Sequence, residues 1–182
     1  MARSEASDDG GQEAAVVLVL RAPSGPQPLG EPVRIGIEVR NAGAGELWMV
    51  GVIDGSEEGL RYPHYRPSVA RQGAVVAAPP PPEDPLVGPL RVTDFRRLGP
   101  GELFDPTRSE GGVAYQPLST FASFRPAEPA VYRYTLALST ESDHPEQWLG
   151  RFSQDEERAA VLNLVSRIPR ITITSGVDVE VR

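Results

Sequence analysis

Residues 32–41 read Pro-Val-Arg-Ile-Gly-Ile-Glu-Val-Arg-Asn. Val33, Ile35, Ile37 and Val39 alternate with Arg34, Gly36, Glu38 and Arg40. A period of two places the aliphatic side chains on one side of an extended chain and the charges on the other. That is the signature of an antiparallel strand with one face on a core and one in water. Outward from it, residues 41–45 form a glycine-rich turn, and residues 46–53 (ELWMVGVI) form the next predicted strand, closed by Asp54-Gly55. Upstream, residues 14–21 are a Val/Leu-rich strand. A turn segment carrying Gly25, Pro26, Pro28 and Gly30 follows it.

The rest of the chain repeats this grammar. Residues 131–140 (VYRYTLALST) put Tyr132, Tyr134, Leu136 and Leu138 on one face. Residues 113–124 are aromatic and β-branched and predict a strand broken by Pro117. At the end, Ile171 and Ile173, then Val177, Val179 and Val181, alternate around Ser175-Gly176, where a bulge is expected. One helix is predicted, residues 154–168. Ser153 and Glu156 form its capping box, and acids fill its first turn. Its apolar stripe is Val161, Leu162, Leu164, Val165 and Ile168, and Pro169 ends it. Residues 54–97 are irregular and contain four consecutive prolines, 79–82, read as a stiff crossing between sheets. Residues 1–12 read as a flexible tail and 13–182 as a single domain. The expectation is an all-β fold: an immunoglobulin-like two-sheet antiparallel sandwich with one helix inserted before the last strand. A closed barrel is the alternative.

Composition narrows the function. All 18 basic residues of the 182 are arginine, there is no cysteine, and the net charge is −7. Without lysine there is no Schiff base and no phosphate-loop lysine. Without cysteine there is no disulfide, thiolate nucleophile or iron–sulfur cluster. Two histidines, His64 and His144, make a poor zinc inventory. No cofactor and no metal are expected. An acidic chain with no basic run is a poor partner for nucleic acid. No segment approaches the length of a membrane span, and the first apolar run lacks the flanks of a signal peptide, so a cytoplasmic location is expected. Arginine without lysine, with abundant alanine, glycine and proline, is the mark of a GC-rich bacterial coding bias.

Two segments carry a resemblance. EPVRIGIEVRNAGAGELWMV, residues 31–50, has an apolar-x-apolar-x-Val-x-Asn strand followed by a small-residue turn. LGPGE, residues 98–102, followed by FRPAEPAVYRYTLAL, residues 124–138, is similar to the L-x-P-G-E … F-x-x-x-x-P-G-x-Y pattern. Both resemble bacterial immunoglobulin-like sandwich domains, with similarity to intracellular proteinase inhibitors of the BsuPI type. The resemblance implies a tyrosine-corner role for Tyr132. Ala130 departs from the glycine of that pattern.

Candidate site residues fall in two loops. Tyr62-Pro63-His64-Tyr65-Arg66-Pro67 joins aromatic area to a guanidinium suited to anions. Ser142-Asp143-His144-Pro145-Glu146-Gln147-Trp148 adds a second histidine beside acids. A two-histidine site requires the fold to bring His64 and His144 together with a carboxylate. The expected contact residues for a ligand or partner are Tyr62, His64, Tyr65, Arg66, His144 and Trp148. No catalytic residue is assigned. The sequence has no G-x-S-x-G elbow, and nothing in it pairs Asp94 with Asp105 for acid–base work. The reading is a non-catalytic binding module that recognises a protein or small ligand through residues 54–97 and 141–152. One alternative is a cyclase- or isomerase-type enzyme working in an apolar cavity; another is a proteinase-inhibitor-like domain. A pocket of about 300–1,000 Å³ lined by aromatic and a few polar groups favours the enzyme. A filled core with an exposed patch favours the module.

Overall fold

The computed structural model describes residues 15–82, 86–109, 115–150 and 156–182. The predicted tail and Ser153, the expected helix cap, lie outside the described residues. The first sheet has the order β1-β2-β7, from β1 (Val16–Arg21), β2 (Gly36–Asn41) and β7 (Leu103–Phe104). The second has the order β5-β4-β8-β9, from β4 (His64–Arg71), β5 (Ala74–Ala77), β8 (Ala130–Ser139) and β9 (Thr172–Val181). All pairings within these sheets are antiparallel. A separate ladder joins β3 (Leu47–Val50) to β6 (Phe95–Leu98). It prolongs the β2/β7 ribbon, with a small insert in each strand. This strand order is that of an immunoglobulin-like sandwich.

The inner faces make one core. Val16, Leu18 and Leu20 of β1 and Ile37 and Val39 of β2 face Tyr65 and Val69 of β4, all four residues named above on β8, and Val179 and Val181 of β9. On one side of the sandwich β1 packs on β9, and Leu20 N donates to Ser175 Oγ at 3.2 Å.

The resemblance motifs have physical content. Asn41 is fully buried. Its amide donates to the carbonyls of Gly45 and Leu98 at 2.7 and 3.0 Å, and its Oδ1 accepts from Gly43 N. It therefore ties the insert after β2 to the end of β6. Glu102 accepts from Gly99 N at 2.7 Å and shapes the LGPGE turn, where Gly101 has φ +77°. Tyr132 OH donates to the carbonyl of Glu128 at 3.0 Å, a tyrosine corner.

Several expectations are corrected. Residues 54–97 were read as a long irregular segment apart from a strand at its end, near Phe95, yet they also contain β4, a central strand of the larger sheet. Pro67 hid it. Proline is tolerated there because β5 pairs only from Val69 onward, so at Pro67 one side of β4 has no neighbour to bond. Residues 115–124 form no strand. They carry helix α1 (Ser119–Ser123) instead, because Thr120 and Phe121 are suited to burial rather than to β structure as such. No bulge occurs at Ser175-Gly176, where the β8/β9 register runs unbroken from Ala130↔Val181 to Ser139↔Thr172. The predicted helix is shorter, α2 (Arg158–Val165), but it docks: Val161, Val165 and Ile168 are buried. Glu156 and Glu157 lie in a turn, where Glu157 accepts from Val92 N at 3.0 Å.

Three core tyrosines differ in one atom's environment. Tyr65 OH donates to the carbonyl of Val50 at 2.8 Å, and Tyr132 OH is bonded as above, while the buried Tyr134 OH has no partner among the described residues. Burial raises the Tyr134 hydroxyl pKa to about 12, with Tyr132 adding to the shift. Tyr65→Phe and Tyr132→Phe are each expected to cost about 1 kcal/mol. Tyr134→Phe removes an unmet donor and is expected to be neutral or stabilising by about 1 kcal/mol. Urea midpoints of the three variants check this; the greatest loss from Tyr134→Phe would contradict it.

Candidate functional site

The two loops singled out from sequence do meet. Tyr62 stacks on His64, the first residue of β4, with ring centroids 3.7 Å apart and planes at 20°. Trp148 lies 5.8 Å from Tyr62, at the end of a 3-10 turn over Pro145–Trp148. Tyr62 N donates to the carbonyl of Gln147 at 3.2 Å, and Tyr62 OH to that of Glu141 at 3.0 Å. Trp148 Nε1 donates to Ser142 Oγ at 2.9 Å. These bonds stitch one loop to the other.

Burial divides the six residues. Trp148 and Tyr65 are 1% and 0% exposed, so their rings serve the interior and offer no surface to a ligand. Tyr62 and His64 are half-buried, and Arg66 and His144 are exposed. Arg66 lays its guanidinium over Gly59, whose φ of +73° and missing Cβ make room for it. Among the described residues no group of three or more His, Asp or Glu side chains is arranged to hold a metal.

His64 has a consequence for stability. Burial, reinforced by Arg66, lowers its pKa from the ordinary 6.5 to about 4. Between those values the unfolded chain takes up a proton that the folded chain does not, so stability is retained above about pH 6.5 and falls as pH drops toward 4. His64→Gln is expected to flatten that part of the stability profile. Urea midpoints at intervals from pH 7 to pH 4 read this directly, and an unchanged slope in the variant contradicts it.

Sequence reading missed two buried charges in the turn DGSEEGLR, residues 54–61. Glu57 is 6% exposed and accepts from Ser119 N, Ser119 Oγ and Thr120 N, at 2.7, 2.6 and 3.2 Å. Its carboxylate thus holds the start of α1. Arg61 is 3% exposed and donates to the carbonyls of Asp54 and Gly88, clamping its turn to residues 86–90. Burial lowers the Arg61 pKa, while Asp54 and Asp94 pull it back up. Both residues look like surface charges in a sequence, because the partners of Glu57 and the Gly88 partner of Arg61 lie 27 to 63 residues away, and the nearer bond of Arg61, to the Asp54 carbonyl, is to backbone, which carries no residue signature.

Those contacts frame a groove. α1 packs against β4, with Phe121 edge-on to Tyr134 and Phe124 edge-on to Tyr132. Between α1 and the approach to β2 lies a cavity of about 550 Å³. Val33, Ile35 and Ile37 line one side and Leu118 and Phe121 the other. A second cavity of about 370 Å³ adjoins it, sharing Gly36, Ile37, Asp105 and Arg108. The charged groups of the larger one are Arg34, Arg108 and Asp105. Asp105 is engaged, accepting from Thr107 N and Oγ1 and pairing with Arg108 at 3.3 Å. Arg34 is exposed and has no ion-pair partner among the described residues. Asp94 is likewise occupied by its own turn, accepting from Arg91 N at 2.8 Å.

No known family model matches this chain, and no curated protein does. The similarity to BsuPI-type inhibitors therefore goes no further than the sandwich motifs. Among solved structures, the chain is similar to the CARDB domain of the PF1109 protein from Pyrococcus furiosus, a crystal structure in complex with di-metal ions. Identity is 14% and the TM-score 0.32, covering 92% of this chain and 87% of that one. The solution NMR structure of the same CARDB domain is 12% identical, with a TM-score of 0.32 over 92% and 94% of the two chains. Similarity at that level does not define a fold, and the sandwich assignment rests on strand order and register. No helix among the described residues is long and apolar enough to cross a membrane.

Proposed function

We propose that this chain is a non-catalytic binding module and that it takes its ligand in the groove between β2 and α1. By volume alone a groove of about 550 Å³ suits an enzyme; what carries the binding reading is its lining, which among the described residues has a single aromatic ring, Phe121, no histidine, and one carboxylate already engaged by Thr107 and Arg108. The groove joins an apolar wall on each side to two guanidiniums at its rim, Arg34 and Arg108, in a chain of net charge −7. Its one carboxylate is held by Thr107 and Arg108, so what the groove offers a ligand is shape, apolar area and positive charge. Of the residues read from sequence, Arg66 and His144 remain available for surface contact, and Tyr62, His64 and Trp148 support the fold around them.

An anionic aromatic dye, anilinonaphthalene sulfonate, matches that chemistry and reports the site. Saturable one-to-one uptake by the folded protein is expected. It should weaken about tenfold in Arg34→Glu, through loss of a charge-assisted contact, and in Ala122→Trp, through filling of the groove. No saturable uptake, or uptake indifferent to both substitutions, overturns the reading.

A further inference from the structure

The wall of the groove formed by β2 is an unfinished sheet edge. Register and hydrogen bonds show which way its backbone points. Ala42 N donates to the carbonyl of Ala15, so the even-numbered residues of this strand turn their polar groups to β1. Leu20, opposite Ile37, sends its N–H to Ser175 instead, which makes that a non-bonded pair. Asn41 N and O bond to Glu102 and Gly101, on the β7 side. The odd-numbered residues therefore face away from β1. Val39 meets Phe104 there, but β7 is only two residues long. The Asp105 turn and Pro106 take the chain away, and the carbonyl of Pro106 accepts from Val52 N. Beyond that point Ile37 and Ile35 present N–H and C=O groups to the groove, and those of Ile35 have no partner among the described residues. An edge that presents such groups is a template for another strand.

We propose that residues 33–37, of which Gly36 and Ile37 begin β2 and Val33–Ile35 lead into it with the same alternation of burial, receive an extended segment of a partner protein as an added strand in line with β7. This rests on the groove being the binding site. The open edge is about five residues long, some 16 Å at strand rise. Alternate side chains of the incoming strand would turn toward Leu118 and Phe121, where the wall is apolar. The charge at the rim selects acidic flanks on that strand: Arg34 has no ion-pair partner among the described residues, while Arg108 pairs with Asp105 at 3.3 Å and is still 83% exposed. A second copy of the same edge is disfavoured by the same charges. Antiparallel self-pairing about Ile35 sets each Arg34 opposite Gly36 and leaves the two Arg34 side chains as diagonal neighbours, within reach of each other.

The test starts from a random peptide library of about twelve residues displayed on phage, long enough to overfill the edge. Enriched peptides are expected to alternate apolar residues and to carry Asp or Glu. Bound peptide should slow amide hydrogen exchange at Ile35 and Ile37. The decisive arm uses N-methylated versions of one enriched peptide. Methylation at alternate residues in one register should weaken binding about tenfold or more, while the other register stays within about twofold, because only one edge of an added strand bonds to β2. Arg34→Glu should weaken binding by a similar factor. Absence of enrichment, equal tolerance of both methylation registers, or unchanged exchange at Ile35 and Ile37 overturns the added strand. Protection of those amides that appears with protein concentration alone, together with dimer sedimentation, assigns the edge to a second copy and overturns it as well. Dye uptake without peptide uptake leaves the groove as a site and rejects only strand addition.

Discussion

Trp148→Ala is expected to destabilise the protein by about 3–5 kcal/mol. The ring is 1% exposed and touches the core through Tyr62, and its Nε1 holds Ser142 Oγ. Truncation removes the transfer energy of the largest side chain and leaves a cavity that a proline-containing 3-10 turn cannot collapse to fill. It also leaves Ser142 Oγ short of a donor. Trp148→Phe should recover about half of the loss, since area returns but the hydrogen bond does not. Urea unfolding followed by far-UV circular dichroism measures both. Native-state hydrogen exchange adds a local readout, since the amide of Tyr62, bonded to Gln147 across the two loops, should lose protection first. A loss below about 1 kcal/mol for Trp148→Ala would mean that the ring decorates the turn rather than anchoring it.

Glu57→Ala is the second large effect, about 3 kcal/mol. The carboxylate serves two backbone donors and one hydroxyl at the start of α1, and its removal strands the part-buried N–H of Ser119 and the buried N–H of Thr120. A five-residue helix has no stability of its own, so its position depends on such external partners. Glu57→Gln keeps an oxygen acceptor and should lose roughly half as much. The variant also bears on function. If α1 loosens, the wall carrying Leu118 and Phe121 moves with it, and dye uptake by the groove should fall even under conditions where the sheets remain folded. Wild-type stability and uptake in Glu57→Ala would show that α1 is held by apolar packing alone.

Much of the sandwich could be read from alternation alone. Strands β2, β8 and β9 were legible because each alternates side chains with a period of two, which follows from a single chain's own geometry, and β1 and β3 because each is a short apolar run closed by turn residues. The same holds for Asn41, Glu102 and Tyr132, whose bonds reach atoms no more than four residues away apart from Asn41 to Leu98. Sequence also placed Tyr62, His64 and Trp148 in two loops worth joining. Whether they joined as a ligand surface or as packing was a question of burial, and burial depends on everything that folds over a residue. β4 was lost to Pro67, since a proline's tolerance depends on whether a neighbouring strand needs its N–H, and β5 stops short of it. Glu57 and Arg61 read as solvated charges because their partners lie 27 to 63 residues away or, for Asp54, are backbone atoms with no residue signature. The groove left no trace at all in the sequence. It exists because β7 ends after two residues and α1 stands across the gap, so Ile35 and Ile37, chosen by their pattern to be inside, line an edge that tertiary structure left open.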